Sequence, residues 1–102
     1  MKIILTSIDS NEEAKRIARL LVENKLSPCV QILNNCQSIY SWDNKIVEES
    51  EYIMIIKCKE DLLKEVCRIV LKEHNYDTPE LIEIDTLILN PKFLKWFNEN
   101  SQ

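Results

Sequence analysis

The fold is decided by the stretch from Cys29 to Cys58, which reads CVQILNNCQSIYSWDNKIVEESEYIMIIKC. Its pattern is that of β-strands throughout. At its centre, the pair Asp43-Asn44 is typical of a two-residue hairpin turn, which would place Trp42 opposite Lys45. Asn34-Asn35 interrupts the first strand and indicates a bulge or a kink. The stretch therefore predicts one long β-hairpin.

The predicted hairpin is longer than a compact domain of this size. Two strands of about 14 residues would each run about 45 Å, at about 3.3 Å per residue, whereas the domain itself would be about 35 Å across. An isolated two-stranded ribbon is marginal in water, yet this one carries Tyr40 and Trp42. We therefore expect the ribbon to pack on another copy of the chain, with these aromatic residues as interface anchors.

The return strand of the hairpin has a polar part and an apolar part. The stretch Glu48–Glu51 is polar and is predicted to be solvated. The run Tyr52–Ile56 is apolar on both faces, which is typical of a central strand covered by helices.

The residues before the hairpin predict a strand and a helix. Lys2–Ile8 is a β-rich apolar run. Ser10 and Glu13 form a capping box, in which each side chain bonds the backbone amide of the other residue. The helix that follows would end at Asn24, because asparagine is the best substitute for glycine in the left-handed conformation that stops a helix.

The residues after the hairpin predict three further elements. They are a second helix over Glu60–His74, a fourth strand over Glu80–Leu89 and a short C-terminal helix over Lys92–Asn98. Leu71 is expected to widen the buried stripe of the second helix. The resulting order, βαββαβ plus a helix, is that of a ferredoxin-like α+β sandwich with right-handed crossovers and a long hairpin between its second and third strands. We expect a single domain over residues 1–102.

The composition excludes several functions. The absence of glycine removes the P-loop, the dinucleotide-binding turn and the EF-hand. A net charge of −4 without a basic stripe argues against nucleic acid, and the longest apolar run is too short to span a membrane. The cysteines form neither a CxxC motif nor a disulfide framework, so we expect reduced thiols and a cytoplasmic location. With a single histidine and no convincing nucleophile–base pair, we expect neither an enzyme nor an organic cofactor.

Five motifs, in order and correctly spaced over nearly the whole chain, resemble those of the CutA (divalent-cation tolerance) family. They are Lys25-Leu26-Ser27-Pro28-Cys29-Val30, Ser38-Ile39-Tyr40-Ser41-Trp42 followed by Lys45-Ile46, Ile55-Ile56-Lys57, His74-Asn75-Tyr76-Asp77-Thr78-Pro79-Glu80, and Phe93-Leu94-Lys95-Trp96.

The resemblance implies a homotrimer of ferredoxin-like subunits, similar in shape to the PII signalling proteins, whose hairpins extend the sheets of their neighbours. It also implies a link to tolerance of copper and other divalent metals, and no accepted catalytic activity. The chain departs from some bacterial members of the family at two positions. It has Thr6 where they have a cysteine, and Glu73 where they have the first of two adjacent histidines, the second of which is His74 here.

The candidate metal ligands are His74, assisted by Glu73, and Cys29. Imidazole and thiolate suit copper or zinc, and a trimer could gather further ligands by symmetry. The competing interpretation is structural. His74 would be a solvent-facing residue that complements the dipole at the end of a helix, and Cys29 a small buried residue of the core.

The remaining candidates belong to a cleft or an interface. Lys57, Tyr76 and Glu80 match motif positions and could form a polar cluster near a subunit cleft, or a structural network with an ion pair between Lys57 and Glu80. Tyr40, Trp42 and Trp96 could instead line a pocket or bind a partner peptide.

The sequence therefore predicts a trimeric cytosolic divalent-cation tolerance protein that binds copper, zinc or another divalent metal. Two alternatives stay open, namely a PII-like sensor of a small anionic metabolite and a stable trimeric scaffold that recruits protein partners.

Overall fold

The computed structural model describes residues 1–102 and contains four strands and three α-helices. They are β1 (Lys2–Ile8), α1 (Asn11–Glu23), β2 (Cys29–Trp42), β3 (Lys45–Cys58), α2 (Leu63–Glu73), β4 (Ile82–Asp85) and α3 (Pro91–Glu99), with one 3-10 turn at Glu60–Leu62. The strands form a single antiparallel sheet in the order β2-β3-β1-β4. The predicted ferredoxin-like α+β arrangement is confirmed.

The hairpin forms as its sequence predicts. Trp42 lies opposite Lys45 in the register. Asp43 and Asn44 both have a left-handed backbone, with φ of 49° and 60°, which is the geometry of a two-residue hairpin turn that matches the twist of its strands. The predicted bulge is also present, because the register shifts between Leu33 and Cys36.

The helix α1 begins after Ser10 and is capped at Asn24, as predicted, but both caps differ from the prediction in detail. The Ser10 hydroxyl accepts a hydrogen bond from the Glu13 amide at 3.2 Å, whereas the Glu13 carboxylate binds Arg16 instead of reaching back. Asn24 has φ of −88°, and the left-handed residue is Lys25, with φ of 56°. The expectation for Asn24 was wrong because its side-chain amide bonds the Leu20 carbonyl, which leaves the reversal to the next residue.

The C-terminal half differs from the prediction in its boundaries. The helix predicted over Glu60–His74 is a 3-10 turn followed by α2, which ends at Glu73. Leu71 was expected to widen the buried stripe but is 52% exposed, because it lies off the face of α2 that carries Val66 and Val70. The last strand covers only Ile82–Asp85, so the expected strand to Leu89 was too long. Residues 86–90 have no regular structure, because the register places Asp85 opposite Lys2, where β1 begins, so β1 has no residues left to pair with them.

The helices α1 and α2 cover only one face of the sheet. The core between them and the sheet includes Met54 and Ile56, both fully buried. The neighbouring residues Ile53 and Ile55 point to the other face and are only half-buried. The prediction that Tyr52–Ile56 is covered by helices therefore holds for one face and is wrong for the other.

We call the uncovered side of the sheet the open face. The register places four apolar residues at its centre, with Cys29 and Lys57 at one end and Ser7 at the other, since residues opposite each other share a face. The central residues are Ile3, Leu5, Ile53 and Ile55. Only α3 reaches this face, where its Phe93 ring lies 5.7 Å from the Lys57 ammonium nitrogen.

The outer half of the hairpin extends past the helices and is in contact with little else. Between Gln37 and Ser50, only Ser38 and Val47 are even half-buried. The chain measures 46 × 25 × 22 Å, so the ribbon sets its longest dimension. None of the helices has the length and apolar character that crossing a bilayer requires.

One buried hydroxyl provides a test of this packing. Thr6 is 1% exposed and its Oγ1 has no hydrogen-bond partner. Replacing Thr6→Val should raise the free energy of unfolding by about 1 kcal/mol, because the unpaired hydroxyl is removed from an apolar site. Urea denaturation followed by circular dichroism measures the change.

The matched control is Ser27→Ala, since the fully buried Ser27 hydroxyl donates to the Lys57 carbonyl at 2.6 Å. This variant should lose about 1–3 kcal/mol, because a buried acceptor is left unpaired. A destabilised Thr6→Val protein would show that the Thr6 hydroxyl has a partner in solution.

Candidate functional site

The single histidine ties the end of α2 to the end of β1. His74 is 8% exposed, and its Nε2 lies 2.9 Å from the Ser7 carbonyl oxygen. Its Nδ1 accepts a hydrogen bond from the Tyr76 amide at 3.1 Å. Because Nδ1 accepts, the ring proton is assigned to Nε2, which donates to Ser7. The interpretation of His74 as a solvent-facing residue is wrong, and both ring nitrogens are occupied.

Tyr76 connects this histidine to the base of the hairpin. Its ring centroid lies 4.8 Å from that of His74, and its hydroxyl donates to Glu51 Oε2 at 2.7 Å. Burial, and then the hydrogen bond to Glu51, raise the pKa of Tyr76 far above its ordinary value. The phenol is therefore a protonated hydrogen-bond donor at any physiological pH.

Glu51 belongs to the stretch predicted to be solvated, yet it is only 7% exposed. The prediction for Glu51 was wrong because Tyr76, which is 25 residues away in the sequence, covers it. A signal was available, since Glu51 shares its side of β3 with Ile53 and Ile55, two positions and four positions further on.

Glu80 lies at the same corner of the open face. Its Oε2 accepts a hydrogen bond from the Ser7 hydroxyl at 3.2 Å. Ser7 is opposite Ile53, so Glu51 is its diagonal neighbour, about 7 Å away across the strands. We call the two carboxylates Glu51 and Glu80, with the hydroxyls of Tyr76 and Ser7, the carboxylate corner.

Lys57 does not join this corner. It is opposite Ile3, and Ser7 lies four residues further along β1, which corresponds to about 13 Å. Its ammonium group lies over the Phe93 ring and pairs with no carboxylate. The expected ion pair between Lys57 and Glu80 is therefore not formed within one chain.

The three candidate metal ligands lie apart. Glu73 accepts a hydrogen bond from the Arg16 guanidinium at 3.1 Å, on the helical side of the molecule. Cys29 is half-buried on the open face, opposite Lys57 and thus at the far end from His74. No group of three or more histidine, cysteine, aspartate or glutamate side chains in the chain is placed to hold a metal ion.

The three aromatic candidates are exposed and line no common pocket. Tyr40 and Trp42 are 37% and 56% exposed on the ribbon. Trp96 packs on Phe93 of its own helix at 5.4 Å and is 41% exposed. A groove of about 540 Å³ lies between α1 and α2, and of the predicted site residues only Glu73 lines it.

The fold and this arrangement define a class of protein: a ferredoxin-like α+β chain with an uncovered sheet face, an overhanging ribbon and a polar corner between them. A family model described as "CutA1 divalent ion tolerance protein" matches residues 2–100. The chain belongs to this family, as its motifs indicated.

Individual relatives agree with this assignment. The chain is 31% identical over 100 residues to the divalent-cation tolerance protein CutA of Thermus thermophilus. This match covers 98% of the chain and 97% of the relative. The crystal structure of CutA1 from Shewanella sp. SIB1 is 37% identical, has a TM-score of 0.92 and covers 98% of this chain and 94% of that one.

A plant relative is longer. The chain is 30% identical over 100 residues to the chloroplastic protein CutA of Arabidopsis thaliana. This match covers 98% of the chain but only 55% of the relative, so the chain spans about half the length of that protein.

The hydrogen bond between Tyr76 and Glu51 can be tested by deleting one hydroxyl. Tyr76→Phe should lower the free energy of unfolding by about 1–3 kcal/mol, because it leaves a buried carboxylate without its donor. Thermal and urea denaturation at pH 7 measure the loss.

The matched control is Tyr40→Phe, which removes a phenol hydroxyl from the ribbon, where Tyr40 is 37% exposed. The variant keeps the aromatic ring and leaves no buried carboxylate without a donor, so the control should unfold like the unmodified protein. Equal stability of the two variants would contradict the role given to Tyr76.

Proposed function

We propose that the chain acts in the cytoplasm as a homotrimer in tolerance to divalent cations, and that it binds a cation such as copper or zinc. Membership of the CutA1 divalent ion tolerance family supports the link to cations. The open face and the overhanging ribbon support the assembly, and the open face is the observation that carries the proposal.

The case for assembly rests on apolar surface that one chain leaves in water. Only 18 of 102 residues are buried, because one face of the sheet has almost no cover. On the ribbon and beyond β4, large apolar side chains are 56–88% exposed, namely Ile39, Trp42, Ile46, Leu87 and Leu89. Large apolar side chains exposed in this number favour a protein interface, and further copies of the chain would cover them.

The case for a cation site shared between copies rests on the ligand atoms. Within one chain, both nitrogens of His74 are hydrogen-bonded and the Glu73 carboxylate binds Arg16. Cys29 is the candidate with a free ligand atom, and it lies on the open face. A threefold axis that passes close to Cys29 would bring this side chain together with its two equivalents and supply soft ligands that suit copper and zinc.

The assembly is tested by placing a charge on the open face. Ile53→Asp should convert the oligomer to monomers, because a carboxylate would be buried in an apolar interface. The matched control Leu71→Asp changes an apolar residue that is 52% exposed on α2, and it should leave the assembly intact. Size-exclusion chromatography with light scattering, in chelator, gives both masses. Unchanged mass of Ile53→Asp would exclude the open face as the interface.

The cation site is tested by calorimetric titration of reduced, chelator-stripped protein with zinc(II), which does not oxidise thiols. The unmodified oligomer should bind zinc, and Cys29→Ser should weaken binding at least about tenfold, or about 1.4 kcal/mol. Cys67→Ser is the matched control, since Cys67 is half-buried on α2 and part of the core. Unchanged affinity of Cys29→Ser would remove Cys29 from the site, and a loss in His74→Ala alone would move the site to His74.

A further inference from the structure

Charges of opposite sign stand at the two ends of the open face. Lys57 marks one end, half-buried, with only the Phe93 ring at 5.7 Å as its neighbour. The carboxylate corner marks the other end, about 13 Å away along β1. The surface between them is apolar, with Leu5 and Ile55 directly opposite each other at its centre.

Neither end is neutralised within its own chain. At the carboxylate corner, Glu51 has only the Tyr76 hydroxyl and Glu80 only the Ser7 hydroxyl as side-chain donors. Hydroxyl groups carry no charge, so the corner keeps its negative charge. Covering such a carboxylate by an apolar surface would cost several kcal/mol without a paired cation. A partner that covers the open face must therefore supply a cation at this corner.

We infer that a second copy packs on the open face with opposite ends together, so that Lys57 of one copy pairs with Glu80 of the next. The inference rests on the proposed homotrimer and adds the residues that orient it. Packing of like ends would bring the carboxylates of two copies together and leave both lysines unpaired. Contact between opposite ends gives each Lys57 a carboxylate partner in Glu80, and a head-to-tail contact of this kind forms a ring when its rotation closes, as it does in a trimer.

Glu80 is the direct partner of Lys57 because of its exposure. Glu80 is exposed, and the Ser7 hydroxyl holds one of its oxygens, which leaves the other free. Glu51 is covered by Tyr76 and is 7% exposed, so it adds negative potential without offering a contact. The ion pair that the sequence suggested within one chain is thus formed between two chains.

Charge reversal at both positions tests the pairing. Lys57→Glu and Glu80→Lys should each raise the dissociation constant of the oligomer at least tenfold, because each places like charges in contact. The double variant restores opposite charges and should return the constant to within about threefold of the unmodified value, since the two positions are coupled. Mass photometry over a dilution series, in chelator and at low salt, measures all four proteins.

The matched control is Lys64→Glu with Glu12→Lys, a pair of exposed charges on the helices that form no ion pair. These variants should dissociate like the unmodified oligomer. Circular dichroism checks that each variant is folded before it is compared. If a charge-reversal variant does not fold, the neutral variants Lys57→Met and Glu80→Gln take its place. Those neutral variants should also dissociate more readily, and they should lose the salt sensitivity of the unmodified oligomer.

Cross-linking gives a measurement that needs no variant. Oligomers reassembled from ¹⁵N-labelled and unlabelled chains are treated with a zero-length carbodiimide reagent, which joins an amine and a carboxylate only in direct contact. Mass spectrometry should find a Lys57–Glu80 cross-link with one labelled and one unlabelled peptide.

The outcomes separate this inference from the proposed function. An oligomeric unmodified protein without rescue in the double variant and without the mixed cross-link would overturn the pairing and leave the assembly intact. An unmodified protein that is monomeric at every concentration would overturn both.

Discussion

The structure depends on a mismatch in length between its sheet and its helices. The strands β2 and β3 have 14 residues each and run about 46 Å at about 3.3 Å per residue. The helices α1 and α2 have 13 and 11 residues, or about 20 and 17 Å at about 1.5 Å per residue. Two helices of this length on one side of the sheet cannot cover the hairpin. On the other side, α3 is the only helix present, at the Lys57 end, and Tyr76 covers only Glu51. Apolar surface therefore remains, and the function proposed for the chain begins from it.

The polar residues of the motif that begins at His74 have structural roles at the edge of the open face. His74 holds the end of α2 against β1 through Ser7, and Tyr76 covers Glu51. Both ring nitrogens of His74 are hydrogen-bonded to backbone groups. Within one chain, neither nitrogen is therefore free to bind a cation. The site residues thus give the open face a charged boundary, and the cation site that we propose takes its ligands from several copies, since no three ligand side chains meet within one chain.

The features predicted correctly from the sequence are those that local chemistry decides. The turn at Asp43-Asn44 and the bulge at Asn34-Asn35 follow from residues that tolerate a left-handed backbone. The failures concern contacts that are distant in the sequence. The burial of His74 depends on β1 and the burial of Glu51 depends on Tyr76. Alternation along β3 places Glu51 on the side of Ile53 and Ile55, but the residue that covers it is distant in the sequence. The fourth strand was predicted to extend to Leu89, which is too far. An alternating apolar pattern indicates that a strand can form, but it does not indicate whether a neighbouring strand is present to pair with it.

The central claim is that copies of this chain cover the open face and the ribbon of one another. Its most direct test is the native mass of the unmodified protein, measured by sedimentation equilibrium in chelator so that no metal holds the copies together. The account predicts a single species of three times the chain mass of 12.1 kDa, stable on dilution. A species of 12.1 kDa would contradict it, because a monomer would leave the apolar face of the sheet in water.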